Sequence, residues 1–152
     1  MSWAAQSTAT IADLVAIELR RIIDVLQVEH ASVFLRDPED PRGATEAAST
    51  GLGVEKALAE HRDVVARVMS TGRVHEVEHP HDGGRDACSA IAAPLLDEGQ
   101  AAGVLLVVTV RETRRLGAFD ATVIARAAET LVDRIVAPRR RFRRQTSDRF
   151  TR

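Results

Sequence analysis

Two apolar segments joined by a short polar connection determine the fold of this chain. They read CSAIAAPLL (Cys88–Leu96) and AAGVLLVVTV (Ala101–Val110), and the connection between them is DEGQ (Asp97–Gln100). Two such runs separated by a polar stretch that contains glycine predict a β-hairpin. The second segment shows no alternation of polar and apolar residues, which is typical of a strand in the middle of a sheet that is covered on both faces.

The residues on either side of this hairpin predict the order helix, two strands, helix, three strands, helix. Apolar spacing predicts helices over Ile11–Gln27, Val54–Ser70 and Asp120–Val136, and further strands over Ala31–Arg36, Ala44–Ser49 and Arg73–Glu78. Thr10 and Asp13 have the spacing of a capping box at the first helix, and Pro138 should stop the last one. Because the connections are hairpin-like, we expect mostly antiparallel pairing and an α+β fold.

Charge divides the chain into two parts. The chain has 21 basic and 22 acidic residues and a net charge of -1. Residues 138–152 hold seven arginines and one aspartate, a net charge of +6, so the remaining chain carries -7. We therefore predict a flexible N-terminus over residues 1–9, a domain over 10–137 and a basic, disordered tail or linker over 138–152. The arginines that dominate the tail are Arg139, Arg140, Arg141, Arg143 and Arg144.

Composition excludes several classes of protein. A single cysteine, Cys88, rules out an internal disulfide framework and a four-thiolate metal site. The first residues lack the pattern of a signal peptide, and the apolar runs are too short to span a bilayer. We expect a cytoplasmic protein with no membrane span.

Four segments resemble the GAF domain, a sensory module related to PAS domains. They are Ala31–Glu39, Val65–Arg73, Ser89–Leu96 with Gly99 and Gly103–Leu105, and Phe119–Asp120 with Leu131. The resemblance covers about residues 10–137. It implies a central antiparallel sheet of about five to six strands, with the terminal helices on one face and a ligand pocket on the other.

The resemblance also implies a function. We expect a regulatory or sensory domain, not an enzyme, that binds a small molecule or transmits a signal through a dimeric helical bundle. Candidate dimer-interface residues on the terminal helices are Leu14, Ile17, Ile23, Leu131 and Ile135. Candidate pocket residues, chosen for their place near the expected mouth, are His75, Arg85, Cys88 and Ser89. The identity of the ligand does not follow from the sequence.

The sequence departs from the family in the segment that closes the pocket, because only residues 79–87 stand between the third strand and Cys88. A short lid encloses less ligand, and burial is what gives small-molecule sites their affinity. An alternative function is therefore a ligand-free interaction module whose arginine-rich tail contacts nucleic acid or an acidic partner.

Other chemistry has weaker support. His75, His79, His81 and Asp82 could share a metal, but spacing without a fixed frame favours a solvated strand end, and we predict no metal site. His75 would be the residue for haem, although the chain has few aromatic residues. Cys88 lacks the neighbouring histidine expected for covalent bilin attachment, and a lone cysteine cannot complete the cycle of a methionine sulfoxide reductase. We predict no covalently bound cofactor.

Overall fold

The computed structural model describes residues 10–36, 44–51, 54–79, 88–110 and 115–138, and among these it describes side chains in 10–36, 62–78, 89–110 and 115–138. The predicted order of elements is confirmed. The elements are α1 (Ile11–Leu26), β1 (His30–Arg36), β2 (Ala44–Gly51), α2 (Val54–Thr71), β3 (His75–His79), β4 (Cys88–Asp97), β5 (Gln100–Thr109) and α3 (Ala118–Leu131), which is followed by a π-helical turn (Val132–Val136).

The strands described form one sheet in the order β2-β1-β5-β4-β3, with every neighbouring pair antiparallel. The hairpin predicted from the opening segment is β4–β5, with its turn at Glu98 and Gly99, both at positive φ. Strand β5 lies in the centre of the sheet, and every residue from Val104 to Thr109 is buried. This confirms the prediction that β5 is covered on both faces.

The larger core lies between the sheet and the two terminal helices. From α1 it takes Val15, Leu19, Ile22 and Leu26, and from α3 it takes Ile124, Ala128 and Leu131. The sheet contributes alternate residues, among them Val33, Ile91, Leu105 and Val107. We call this side of the sheet the terminal-helix face.

The opposite side of the sheet is covered by α2 through Val65, Val68 and Met69. Beneath them lie the residues of the other parity, Phe34, Ala90, Ala92, Val104, Leu106 and Val108. We call this side the α2 face. Two layers of helix on one five-stranded sheet give the α+β architecture that the sequence predicts.

Close packing of the central strands depends on Gly103. A Cβ atom built on this residue would lie 2.3 Å from the carbonyl oxygen of Phe34 and 3.0 Å from the side chain of Leu95. A side chain at this position would therefore push β1 away from β5, which explains the glycine inside an otherwise apolar strand.

Helix α1 begins as predicted. The Oγ1 atom of Thr10 accepts a hydrogen bond from the backbone N–H of Asp13, and the Asp13 carboxylate accepts one from the N–H of Thr10. These two hydrogen bonds lower the pKa of Asp13. The helix ends at Gln27, whose backbone is left-handed.

The end of α3 differs from the prediction. The α-helix does not continue to Val136 but changes at Val132 into a π turn, in which the N–H of Ala137 donates to the carbonyl of Val132. Helical geometry continues to Pro138. The proline explains the change, because in an α-helix its ring would collide with the carbonyl of Arg134, and the wider turn relieves that collision.

Candidate functional site

Polar side chains gather on the α2 face of the sheet, the side on which the sequence predicts a pocket. Directly paired residues of neighbouring strands share a face. The register places Ser32, Leu106, Ala92 and His75 in one row across four strands. His30 begins the adjacent row, which continues through Val108, Ala90 and Val77. The α2 face thus has small residues on β4 and polar residues on β1 and β3.

His30 is the most deeply buried polar group of this face after Ser32, with 5% of its surface exposed. Its Nδ1 atom has no hydrogen-bond partner among the residues described. Burial lowers the pKa of His30, and the neighbouring Glu29 opposes the shift. A neutral imidazole has one nitrogen that accepts hydrogen bonds, so His30 can accept one from a ligand or water.

His75 is half-buried on the same face, near the sheet edge. The guanidinium of Arg67 on α2 donates from Nη1 to Nε2 of His75 over 3.4 Å. The Nδ1 atom of His75 is buried and has no partner within the described part of the chain. His75 therefore lies where the sequence predicts a pocket residue.

Ser89 does not lie on the expected face. It pairs with Glu78 and Thr109 and shares the terminal-helix face. Its buried hydroxyl accepts a hydrogen bond from the backbone N–H of Leu116, 3.1 Å away, just before α3. The prediction of Ser89 as a pocket residue is therefore wrong, because strand parity directs the side chain to the opposite side of the sheet from His75.

The other two pocket candidates stay predictions. Arg85 lies outside the described residues, as does most of the lid segment. The backbone of Cys88 pairs with that of His79 at the start of β4, but its side chain is outside the described set. Among the described residues no group of three metal-ligating side chains occurs, and His81 and Asp82 lie outside them.

The outer face of α1 exposes three large apolar side chains. Leu14, Ile17 and Val25 are 39%, 65% and 56% exposed. An open groove of about 420 Å³ runs along this face, and its described lining consists of Ala16, Ile17, Arg20, Arg21, Asp24 and Val25. Leu14 and Ile17 thus have the surface that a contact between two copies needs.

The dimer candidates on α3 need correction. Leu131 and Ile135 are only 1% and 4% exposed, because both pack in the core on the terminal-helix face. Ile23 packs against the same core from α1. Leu131 and Ile135 therefore hold α3 and its π turn on the sheet and offer little surface to a second copy, whereas Ile23 is half-buried and stays a prediction.

One ion pair with a buried carboxylate was missed by the sequence analysis. Glu18 on α1 is buried, and its Oε1 atom accepts a hydrogen bond from Nη1 of Arg134 over 3.0 Å. The sequence did contain a signal that Glu18 is buried. Glu18 is three residues after Val15 and four before Ile22, so it lies on the same side of the helix as these two apolar residues. His30 was also missed, although it belongs to the same strand parity as Phe34.

Comparison with known proteins agrees with this geometry. The family model for the GAF domain matches residues 10–138. The chain belongs to the GAF domain family. No curated protein matches the chain significantly.

Solved GAF domains share the fold at low sequence identity. A methyl-accepting chemotaxis protein segment superposes with a TM-score of 0.67 at 19% identity, covering 87% of this chain and 92% of that one. The second GAF domain of DevS from Mycobacterium smegmatis gives 0.66 at 14% identity, covering 88% and 99%. The GAF domain of an Acinetobacter phosphoenolpyruvate-protein phosphotransferase gives 0.63 at 18%, covering 83% and 82%. At these identities the likeness shows the fold alone.

No helix within the described ranges is long and apolar enough to cross a membrane. The basic tail and residues 1–9 lie outside those ranges, so the boundaries predicted for them stay predictions.

Proposed function

We propose that this GAF domain is a non-enzymatic cytoplasmic sensor that binds a small molecule on the α2 face and pairs with a second copy through α1. The observation that carries the proposal is the division of the sheet. One face bears imidazole nitrogens of His30 and His75 that have no partner among the described residues, and the other bears the terminal helices. A ligand and a partner can therefore act on the two sides of one rigid sheet.

The proposal that this domain binds a ligand rests on buried polar atoms that have no hydrogen-bond partner among the described residues. A buried polar atom without a partner costs about 1–3 kcal/mol, and such groups are rare in folded proteins. Among the described residues, two such atoms occur on the α2 face: Nδ1 of His75, which pairs with the small Ala92, and Nδ1 of His30, two strands away from β4. A ligand with hydrogen-bonding groups would satisfy them.

Native mass spectrometry tests the ligand part. Freshly purified protein, incubated with a metabolite extract, should carry a small-molecule adduct. The adduct should be lost in the His30→Leu variant and kept in Ser70→Ala, whose exposed hydroxyl lies near the end of α2. A bare protein mass in every case would contradict ligand binding.

The dimer part rests on α1. Its three exposed aliphatic side chains lie on the helix face away from the sheet, and Arg20, Arg21 and Asp24 along the groove offer charges of both signs. Burying this face in a second copy would remove apolar surface from water.

Light scattering after size exclusion tests the dimer part. The wild-type chain should be a dimer at micromolar concentration, and Ile17→Glu should be a monomer because the charge would lie in the apolar contact. Phe119→Glu is the matched control, since Phe119 is 74% exposed and lies at the start of α3, outside the outer face of α1. A monomeric wild type, or equal effects of the two variants, would contradict the assignment.

A second candidate function follows from the +6 charge of residues 138–152. In that case the GAF domain is an interaction module, and its tail binds nucleic acid or an acidic partner. Binding of the full chain to duplex DNA should then weaken steeply with salt and vanish in a chain that ends at Pro138. Absence of binding by the full chain at low salt would exclude the nucleic-acid version.

A further inference from the structure

A buried carboxylate ties the first helix to the end of the last one. The side chain of Glu18 is 7% exposed, whereas that of its partner Arg134 is 64% exposed. A buried carboxylate is costly unless it is paired and hydrogen-bonded. The pair therefore links α1 to the π turn that carries Arg134.

Arg134 occupies the least regular turn of the described helices. The π turn from Val132 to Val136 is the only one in the described ranges, and it ends two residues before Pro138. Because Pro138 keeps this turn from closing into a regular α-helix, the alternative to the π turn is an opened turn, which would change the direction of the following chain. Opening of the turn would also carry Arg134 away from Glu18.

We propose that the Glu18–Arg134 pair and the π turn form a two-state latch that sets the direction in which the chain leaves Pro138. The latch rests on the proposed sensory function, because Glu18 follows Ile17, the most exposed of the three aliphatic side chains on the outer face of α1. A shift of α1 on pairing or ligand binding would separate the two charges and release the π turn. Discrete repacking of one helix against another is a common form of such switches.

Hydrogen exchange tests the latch without a ligand. Glu18→Gln, Arg134→Gln and the double variant would be compared with wild type in a monomeric Ile17→Glu background. Each single change should speed amide exchange in residues 132–137 by about tenfold or more, because it removes the charge-assisted hydrogen bond that holds Arg134 in place. Residues 118–131 should change less than about twofold.

Matched controls and a double-mutant cycle decide the outcome. Asp24→Asn on α1 and Arg126→Gln on α3 change exposed charges and should leave residues 132–137 unaffected. The double variant should exchange no faster than the quicker single variant, because the pair acts as a unit. Rates equal to those of the controls, or fully additive effects, would overturn the latch. If Glu18→Gln fails to fold, Arg134→Lys keeps the charge and should give a smaller increase than Arg134→Gln.

The dimer dissociation constant distinguishes a switch that responds to pairing from an ion pair that only stabilises the fold. Coupling between sites is reciprocal, so if pairing through α1 shifts the latch, breaking the latch must change the dimer dissociation constant. In the chain with Ile17 intact, Glu18→Gln should change that constant at least about fivefold, whereas Arg126→Gln, an exposed charge on α3 outside the α1 groove, should not. An unchanged constant would overturn the switch. If the wild type does not dimerise, the proposal that two copies pair through α1 is wrong. The hydrogen-exchange experiment, which uses monomeric protein, still decides whether the latch exists.

Discussion

The side chain of His30 lies in the interior with one ring nitrogen that has no partner among the described residues. Its environment is apolar, since it faces α2 beside Val108. Burial favours the neutral ring and therefore lowers the pKa of His30 below that of the unfolded chain. This residue links the proposed ligand site to pH.

The lowered pKa of His30 predicts a loss of stability in mild acid. As the pH falls through about 6.5, the unfolded chain binds a proton first, so unfolding becomes easier. The contribution of His30 is present above that pH and is lost as the pH falls towards the folded-state pKa. Urea titrations at pH 7.5 and 5.5 should show a lower midpoint at pH 5.5, and His30→Leu should reduce the difference. His75→Gln serves as the control; a wild-type difference that persists unchanged in His30→Leu would contradict this cause.

Ser89 has a structural role that can be measured. Its hydroxyl satisfies the buried N–H of Leu116, so Ser89→Ala should lower the free energy of unfolding by about 1–3 kcal/mol. Ser70→Ala removes an exposed hydroxyl, bonded to the carbonyl of Arg67, and should cost less than about 0.5 kcal/mol. Equal costs in urea unfolding would show that the Ser89 contact is unimportant.

At the scale of elements, the two terminal helices use their apolar residues differently. Helix α1 has a buried stripe and, on its outer side, exposed Leu14, Ile17 and Val25. Helix α3 directs Leu131 into the core, and the π turn does the same with Ile135. A broad apolar face in the sequence can therefore mean either a second contact surface or deeper burial.

Two leucine truncations distinguish these uses. Leu131→Ala should lower the free energy of unfolding by about 2–5 kcal/mol because it leaves a cavity in the core. Leu14→Ala should change the stability of the monomer much less, yet weaken dimerisation. Thermal unfolding in the monomeric Ile17→Glu background and light scattering with Ile17 intact measure the two effects. A large stability loss from Leu14→Ala in that background would contradict the exposure of Leu14.

At the scale of the whole molecule, the proposed pairing predicts a stability that depends on concentration. A partner that binds the folded state raises the melting temperature by mass action. The Tm of the wild-type chain should rise between about 1 and 100 µM, whereas that of Ile17→Glu should stay constant. Calorimetry or fluorescence at several concentrations measures this, and a constant wild-type Tm would contradict a dimer in that range.

Local sequence patterns predicted most of the fold. The uniform apolarity of β5, the turn at Glu98 and Gly99, and the capping box of Thr10 and Asp13 all act over short distances, so they could be read without knowing the fold. The end of α3 was predicted less well. Pro138 indicated a disturbance, but the sequence did not show whether the helix would stop or widen into a π turn, because either outcome avoids the collision of the proline ring.

The sequence by itself determined the order of elements, the central position of β5, the GAF resemblance and the concentration of arginine after Pro138, because each follows from neighbouring residues. Only the tertiary structure decided which side chains lie on which face of the sheet. Since strand parity alternates at every residue, Ser89 and His75 could be separated only by the register of β3, β4 and β5. The partner of Glu18 likewise lies 116 residues away in Arg134, a contact that exists only because both terminal helices pack on the same side of the sheet.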